Sequence, residues 1–78
     1  MTVNKVFLVG SLGRDAETRT AGSSTVTAFN LATEYSYKKG NDWVKTTDWH
    51  NVVVWAASDF LQRALHKGAK VHVEGRIS

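Results

Sequence analysis

Seventy-eight residues, 42% of them hydrophobic, make at most one domain, and a chain this short buries a modest share of its surface, so its stability margin is thin. The absence of cysteine excludes disulfides, thiolate nucleophiles and cysteine-ligated zinc. Ten Lys or Arg against seven Asp or Glu give a net charge of +3, a mild lean toward polyanions whose weight depends on where the charges sit.

The opening MTVNKVFLVGSLGRD holds one apolar run, Val6 to Val9, far short of a signal-peptide core or a membrane span, so the expectation is a soluble, cytoplasmic protein with no membrane partner. KVFLVG (5–10) has strand length and apolar residues on both parities, which predicts a strand buried on both sides. RDAETRT (14–20) is polar and predicts a short irregular strand, followed by the turn signal AGSS. STVTAFNLATEYSY (24–37) is the longest β-like segment, with Phe29 and Leu31 on one parity as its inward face. KKGND (38–42) is a flexible hairpin tip, and the next strand runs from Trp43 through Trp55.

AASDFLQRALHKG (56–68) changes period: Leu61, Ala64 and Leu65 recur at helical spacing, with Ala57 on the same side. Ser58 suits the N-cap, Asp59 the positive end of the dipole, His66 and Lys67 the negative end, and Gly68 a left-handed stop. AKVHVEGRIS (69–78) returns to β alternation, with Val71 and Val73 on one face. Three strands with an elaborated first connection, one short helix and one more strand describe an all-β chain of the OB-fold type, a five-stranded Greek-key barrel with its helix between strands three and four. Four of those five strands are supplied, so residues 1–78 are expected to be a single OB-fold domain, incomplete at the C-terminus and truncated before strand five.

Alternation puts Trp49 and Trp55 on one face of their strand with Lys45, Thr47, Asn51 and Val53, and His50, Val52 and Val54 on the other. Aromatic planes interleaved with a cation and small polar groups form a stacking platform for single-stranded nucleic acid, because every base has a π face and every nucleotide a phosphate. Tyr35, Tyr37, Lys38, Lys39 and Trp43 crowd the adjoining hairpin and extend that surface. Large aromatics are mostly buried, which favours a core role for any one strand tryptophan taken alone. Here Val52 and Val54 already offer the opposite face to a core, and two tryptophans with Lys45 make a poor interior, so the pair reads as working surface. Trp43 stays open between the two readings, and so do Lys38 and Lys39, which taken alone are ordinary loop lysines but stand beside the aromatics.

Four blocks, VNKVFLVGSLGRDAETR at the start, FNLAT at 29–33, TDWHNVVVW at 47–55 and LHKGAKVHVEGR at 65–76, resemble the bacterial single-stranded DNA-binding protein family, SSB, in order and spacing over nearly the whole chain. The resemblance implies a barrel that assembles as a homo-oligomer, a tetramer or dimer, and binds single-stranded DNA without sequence preference in replication, recombination and repair. It implies that Trp49, Trp55 and Tyr37 stack on bases, that Arg19 and Lys67 lie near the DNA path, and that His50, with Asn4 and Val6 of the first strand, lies at a subunit interface. It also implies a bacterial cytoplasmic location, associated with the nucleoid.

Departures from the family pattern carry consequences. Tyr37 and Trp55 replace a tryptophan and a phenylalanine, which preserves stacking, whereas Asn51 and Ala57 replace basic positions, which weakens phosphate contact; Ala16 replaces a frequent proline. Family members continue past EGR into a hairpin with another stacking tryptophan, a closing strand and a tail with an acidic tip that recruits partners. No acidic-tail-mediated partner is therefore expected from these residues, and the third and fourth strands, which flank the fifth in the family barrel, are expected to keep unpaired edges that favour a homo-oligomer.

An enzyme is the weakest rival: GSLG at 10–13 is not a nucleophile elbow, no phosphate-loop signature is present, and His50, His66 and His72 lack metal-ligand spacing, so no catalytic residue, metal or cofactor is expected. The stronger rival is an OB-fold interaction module or family remnant with weak or no DNA binding, since fold does not dictate function.

Overall fold

The computed structural model describes residues 1–78, which form β1 (Val6–Leu12), β2 (Glu17–Ala21), β3 (Ser24–Lys39), β4 (Asp42–Trp55), α1 (Asp59–Ala64) and β5 (Lys70–Gly75). All strand pairs are antiparallel. β4 runs along one edge of β3 in unbroken register from Val26↔Trp55 to Lys39↔Asp42. The other edge of β3 takes β2 over Ser24–Ala28 and β1 at Leu31 and Ala32 only. β1 then swings away to pair with β5 from Val6↔Gly75 to Ser11↔Lys70, so the sheet curls into a half-barrel. Gly10 sits at the change of partners: a Cβ there would run into the Ala32 carbonyl oxygen, so only glycine lets β1 cross β3 this closely.

The concave face holds a small core. Leu12, Phe29, Leu31 and Leu65 are buried, with Leu8, Val52, Val54, Val71 and Val73 partly buried around them. Cross-strand pairing explains the set, because Phe29 faces Val52 and Leu8 faces Val73, and directly opposed residues share a face. Thr27 is fully buried, and its hydroxyl hydrogen-bonds that of Thr18 at 2.9 Å, which ties β2 to β3.

Four expectations are corrected. β1 is buried on one face only, because nothing covers the outer side of β1 and β5; Phe7 and Val9 point out, and Phe7 meets His72 edge-on at 4.3 Å. Glu17–Ala21, expected to be a short irregular strand, is a regular strand in full register with β3 and is numbered separately as β2. It continues β1 along the same edge of β3, so β1 and β2 act as one bent strand. The hairpin is tighter than expected: β3 runs to Lys39 and β4 starts at Asp42, leaving Gly40, at φ +64°, and Asn41 as the turn.

The helix is also shorter than 56–68. Ser58 caps it, its Oγ accepting from the Leu61 N–H at 3.2 Å, but it ends at Ala64. Leu65 leaves helical geometry, drops its side chain into the core and turns its carbonyl to accept from the Ala16 N–H at 2.9 Å. Beyond it the Gly68 N–H donates to the Leu12 carbonyl, the Leu12 N–H to the Ala69 carbonyl, and the Lys67 N–H to Asp15 Oδ1 at 2.7 Å. Tertiary bonds to the β1–β2 connection replace the last helical turn, and Arg63, not His66 or Lys67, is the cation at the helix end.

Two regions lie open. Within these residues the outer edges of β4 and β5 have no partner strand, and a groove of about 210 Å³ between them is lined by Phe29, Val52, Val54, Leu65, Val71 and Val73. At the other extreme, the β3–β4 ribbon from Glu34 to Thr47 projects past the core as an arm in which only Val44 and Thr46 are even partly buried. The arm is why the radius of gyration is 15.2 Å, against about 11.5 Å for a compact chain of this length.

Candidate nucleic-acid interface

The unbroken β3–β4 register sorts every side chain of the ribbon onto one of two faces. The convex face carries, pair by pair, Val26 with Trp55, Ala28 with Val53, Asn30 with Asn51, Ala32 with Trp49, Glu34 with Thr47, Ser36 with Lys45, and Lys38 with Trp43. All three tryptophans therefore share one face, at 64, 59 and 71% exposure for Trp55, Trp49 and Trp43. Their neighbours across the ladder on β3 at Trp49 and Trp55 are small, Ala32 and Val26, so the rings stand clear of bulk.

The third layer of strands extends the same face. Arg19 pairs with Val26, which pairs with Trp55, so the guanidinium and the indole lie in one row two strands apart, about 10 Å between backbones. Another row runs Lys70, Ser11, Ala32, Trp49 across four strands. The result is a surface of separated aromatic plates with cations at its margins.

Trp49 is the best-anchored plate. A Cβ built on Gly13 would lie 2.6–2.7 Å from two atoms of its six-membered ring, so the indole rests against the bare backbone of the β1–β2 connection. Arg14 and Asn30 complete an open cleft of about 340 Å³ with Gly13 and Trp49. Arg14 and Asn30 were invisible in the sequence. Only the β1–β3 register brings the bend after Leu12 against Trp49, and the one local signal was the glycine directly after a buried leucine. On the far side of the same bend, the Asp15 bond to the Lys67 backbone holds Lys67 next to it.

The remaining residues are placed as follows. Lys45 Nζ lies 3.0 Å from Glu34 Oε2, both side chains well exposed, so its charge is partly matched within the protein. Lys38 and Lys39 make no ion pair. Tyr37 does not extend the tryptophan surface: it pairs with Val44, as Tyr35 pairs with Thr46 and Lys39 with Asp42, on the opposite face of the ribbon. The cause is parity, since every odd position of β3 faces an even position of β4 throughout the ladder.

His50 is half-buried on the concave side, its Nε2 2.8 Å from Thr33 Oγ1. Val6 is half-buried at the start of β1, and Asn4 holds the chain after β5 through paired bonds with the Ile77 backbone at 2.7 and 3.1 Å. No group of three or more His, Cys, Asp or Glu is placed to hold a metal ion, and no helix is long and apolar enough to cross a membrane.

A curled antiparallel sheet with a short helix before its last strand is the OB-fold arrangement, and its solved neighbours have it. The structure described as Plasmodium falciparum SSB complex with ssDNA superposes with a TM-score of 0.84 at 30% identity, covering 97% of this chain and 70% of that one. A deletion mutant of the single-stranded DNA binding protein from Thermus aquaticus superposes at 0.79 with 27% identity, covering 95% and 38%. The profile of the single-strand binding protein family matches residues 3–78, and the chain belongs to that family. Among similar proteins, single-stranded DNA-binding protein 1 of Chlorobaculum tepidum is 40% identical over 78 residues, and the mitochondrial single-stranded DNA-binding protein of Drosophila melanogaster 39% over 80. These matches take in 96 and 99% of this chain but 48 and 55% of the relatives, so the chain spans about half the length of the curated proteins it matches.

Proposed function

We propose that this chain binds single-stranded DNA without sequence preference, by stacking bases on Trp49 and Trp55 and neutralising phosphates with cations on the same surface, and so protects single strands in replication, recombination and repair. The observation that carries this reading is the convex face itself: three exposed indoles on one side of one ribbon, with Arg19 in the row of Trp55 and Arg14 in the cleft of Trp49. Isolated exposed tryptophans are uncommon on inert surfaces, and aromatic plates spaced along a cationic groove suit a polymer of π faces and phosphates. Stacking on an indole is sequence-tolerant because every base has a π face, which supports binding without sequence preference. The chain is accordingly read as a binding protein and not an enzyme, acting with the nucleoid in the bacterial cytoplasm.

The same reading includes a homo-oligomer, dimer or tetramer. Supporting it, β1 pairs with β3 at two residues only, so its edge from Val6 to Gly10 is free on that side, and Phe7 and Val9 are exposed on its outer face. His50, Asn4 and Val6 belong to this interface in the proposal. The domain is read as one barrel whose groove between β4 and β5 is filled by a further strand, in cis or from a neighbouring copy. Sedimentation at micromolar concentration tests this, and a compact, cooperatively melting monomer overturns it.

Titration with oligo-dT followed by tryptophan fluorescence tests the binding itself. Stacked bases quench exposed indoles, so saturable quenching that weakens as salt rises is expected. Unchanged emission at low salt would leave the surface as the protein-contact module of the rival reading.

A further inference from the structure

Trp49 and Trp55 have unlike surroundings, and we infer that the Trp49 position prefers guanine while the Trp55 position accepts any base, with Arg14, Asn30 and Asn51 reading the base edge. The inference rests on the binding function proposed above and lays one graded preference over a surface that is otherwise indifferent to sequence. Within the ladder, the neighbours of Trp55 on its own face are Val53 two residues back, Val26 directly opposite and Ala28 on the diagonal. None of them carries a side-chain donor or acceptor. Around Trp49 the set is different. Asn51 stands two residues on, Asn30 lies on the diagonal and directly opposite Asn51, and Arg14 shares the cleft of about 340 Å³ with Asn30 and the indole. None of these three side chains makes a hydrogen bond or an ion pair within the chain, so their donors and acceptors stay available.

Stacking fixes the plane of a base, and its edges then face the side chains that flank the plate. Trp49 can define that plane because its six-membered ring rests against the bare backbone of Gly13, where a Cβ would lie 2.6–2.7 Å away, while the residue stays 59% exposed. Arg14 supplies a planar fork of N–H donors and no acceptor, and each asparagine amide supplies one carbonyl acceptor and one NH₂ donor. Guanine answers both: its O6 and N7 accept from a guanidinium fork, and its N2 amino group donates to an amide carbonyl. Adenine offers a guanidinium only N7, beside an amino donor, and the pyrimidines have no N7. The cleft is open to water, so the discrimination sits at the low end of what a bidentate base contact provides.

Oligonucleotides that differ in one base test the preference in the full chain. The set is an oligo-dT of about 8 nucleotides, within the site size of a single OB fold, and the same length with one guanine, adenine or cytosine at its centre. Anisotropy of an end label gives each affinity, and the quantity compared is its ratio to that of oligo-dT. In wild type the guanine oligonucleotide is expected to bind about fivefold more tightly than oligo-dT, and the other two within about twofold of it. Asn30→Ala/Asn51→Ala and Arg14→Lys, which keeps the charge but not the fork, are each expected to bring the guanine ratio to about one. Trp55→Ala is expected to weaken every complex and keep that ratio at about five. Circular dichroism checks the sheet, and the exposed Arg14 keeps a readout if the double variant fails to fold. A wild-type ratio near one, a ratio that survives in either edge variant, or one that disappears in Trp55→Ala overturns the base preference while leaving the binding function intact. Failure of wild type to bind any of the oligonucleotides would remove the binding function and the preference with it.

Discussion

The β3–β4 ladder is one hydrogen-bonded ribbon with two unlike ends. From Val26 to Thr33 it lies over Leu12 and Leu65, and its concave side chains are buried or half-buried except for Asp48 at the boundary; from Glu34 to the tip only Val44 and Thr46 are even partly buried. The hydrogen bonding and register are the same throughout. What differs is the surroundings: β1 and β2 pair along the other edge of β3, and Leu65 packs against the concave side, at the first end only. Cross-strand bonds alone leave an isolated ribbon marginal, so the base supplies the stability and the arm borrows it. A surface that must offer aromatic rings to a ligand is best placed where those rings are not needed for the core, and the outer side of this ladder meets that condition along its full length.

The sharpest way to break this comparison is at the base. Leu31→Ala, at a fully buried site in a core of four buried side chains, is expected to cost about 2–5 kcal/mol in urea unfolding. A cost under about 1 kcal/mol would mean that the base is not the stabilising end. Trp49→Ala, on the other side of the same ribbon, is expected to leave the urea midpoint nearly unchanged and to remove about 1–3 kcal/mol of single-strand affinity in a fluorescence or anisotropy titration. Unfolding of that variant would make the indole part of the fold.

Gly13→Ala separates position from presence. Its Cβ would meet the Trp49 ring at 2.6–2.7 Å, so the ring must rotate away from the β1–β2 bend. A shifted emission maximum and a loss of about 1 kcal/mol in affinity, within the stacking range, are expected with little change in stability. Wild-type affinity after a spectral shift would show that the plate need not be held still. The smallest effect belongs to the arm: Glu34→Gln frees Lys45 from its partner, and the gain in single-strand affinity should be about 0.2–1 kcal/mol, read at low salt and fading as salt rises. A loss instead would mean that Glu34 orients Lys45 usefully.

Much of this was legible along the chain because period-two alternation is local. The inward set Phe29, Leu31, Val52 and Val54, the outward pair Trp49 and Trp55, the Ser58 cap and the polar tip around Gly40 each depend on neighbours a few residues away. The tyrosines show where such reading stops. Parity within β3 groups Tyr35 with Tyr37, but whether they share a face with Trp49 depends on the register between two strands, and that is set where the ladder is anchored over the core.

Sequence alone therefore determined the element types, their order and which residues alternate together, since these follow from backbone geometry and side-chain shape over short spans. Tertiary structure decided the rest. It ended the helix at Ala64 by giving Leu65 a core to enter and its carbonyl a partner in Ala16, made the polar Glu17–Ala21 strand regular by offering it the free edge of β3, and brought Gly13, Arg14 and Asn30 to Trp49. Each of these outcomes is a bond or contact between residues far apart in the chain, whose free energy outweighs local preference and leaves no mark on local pattern.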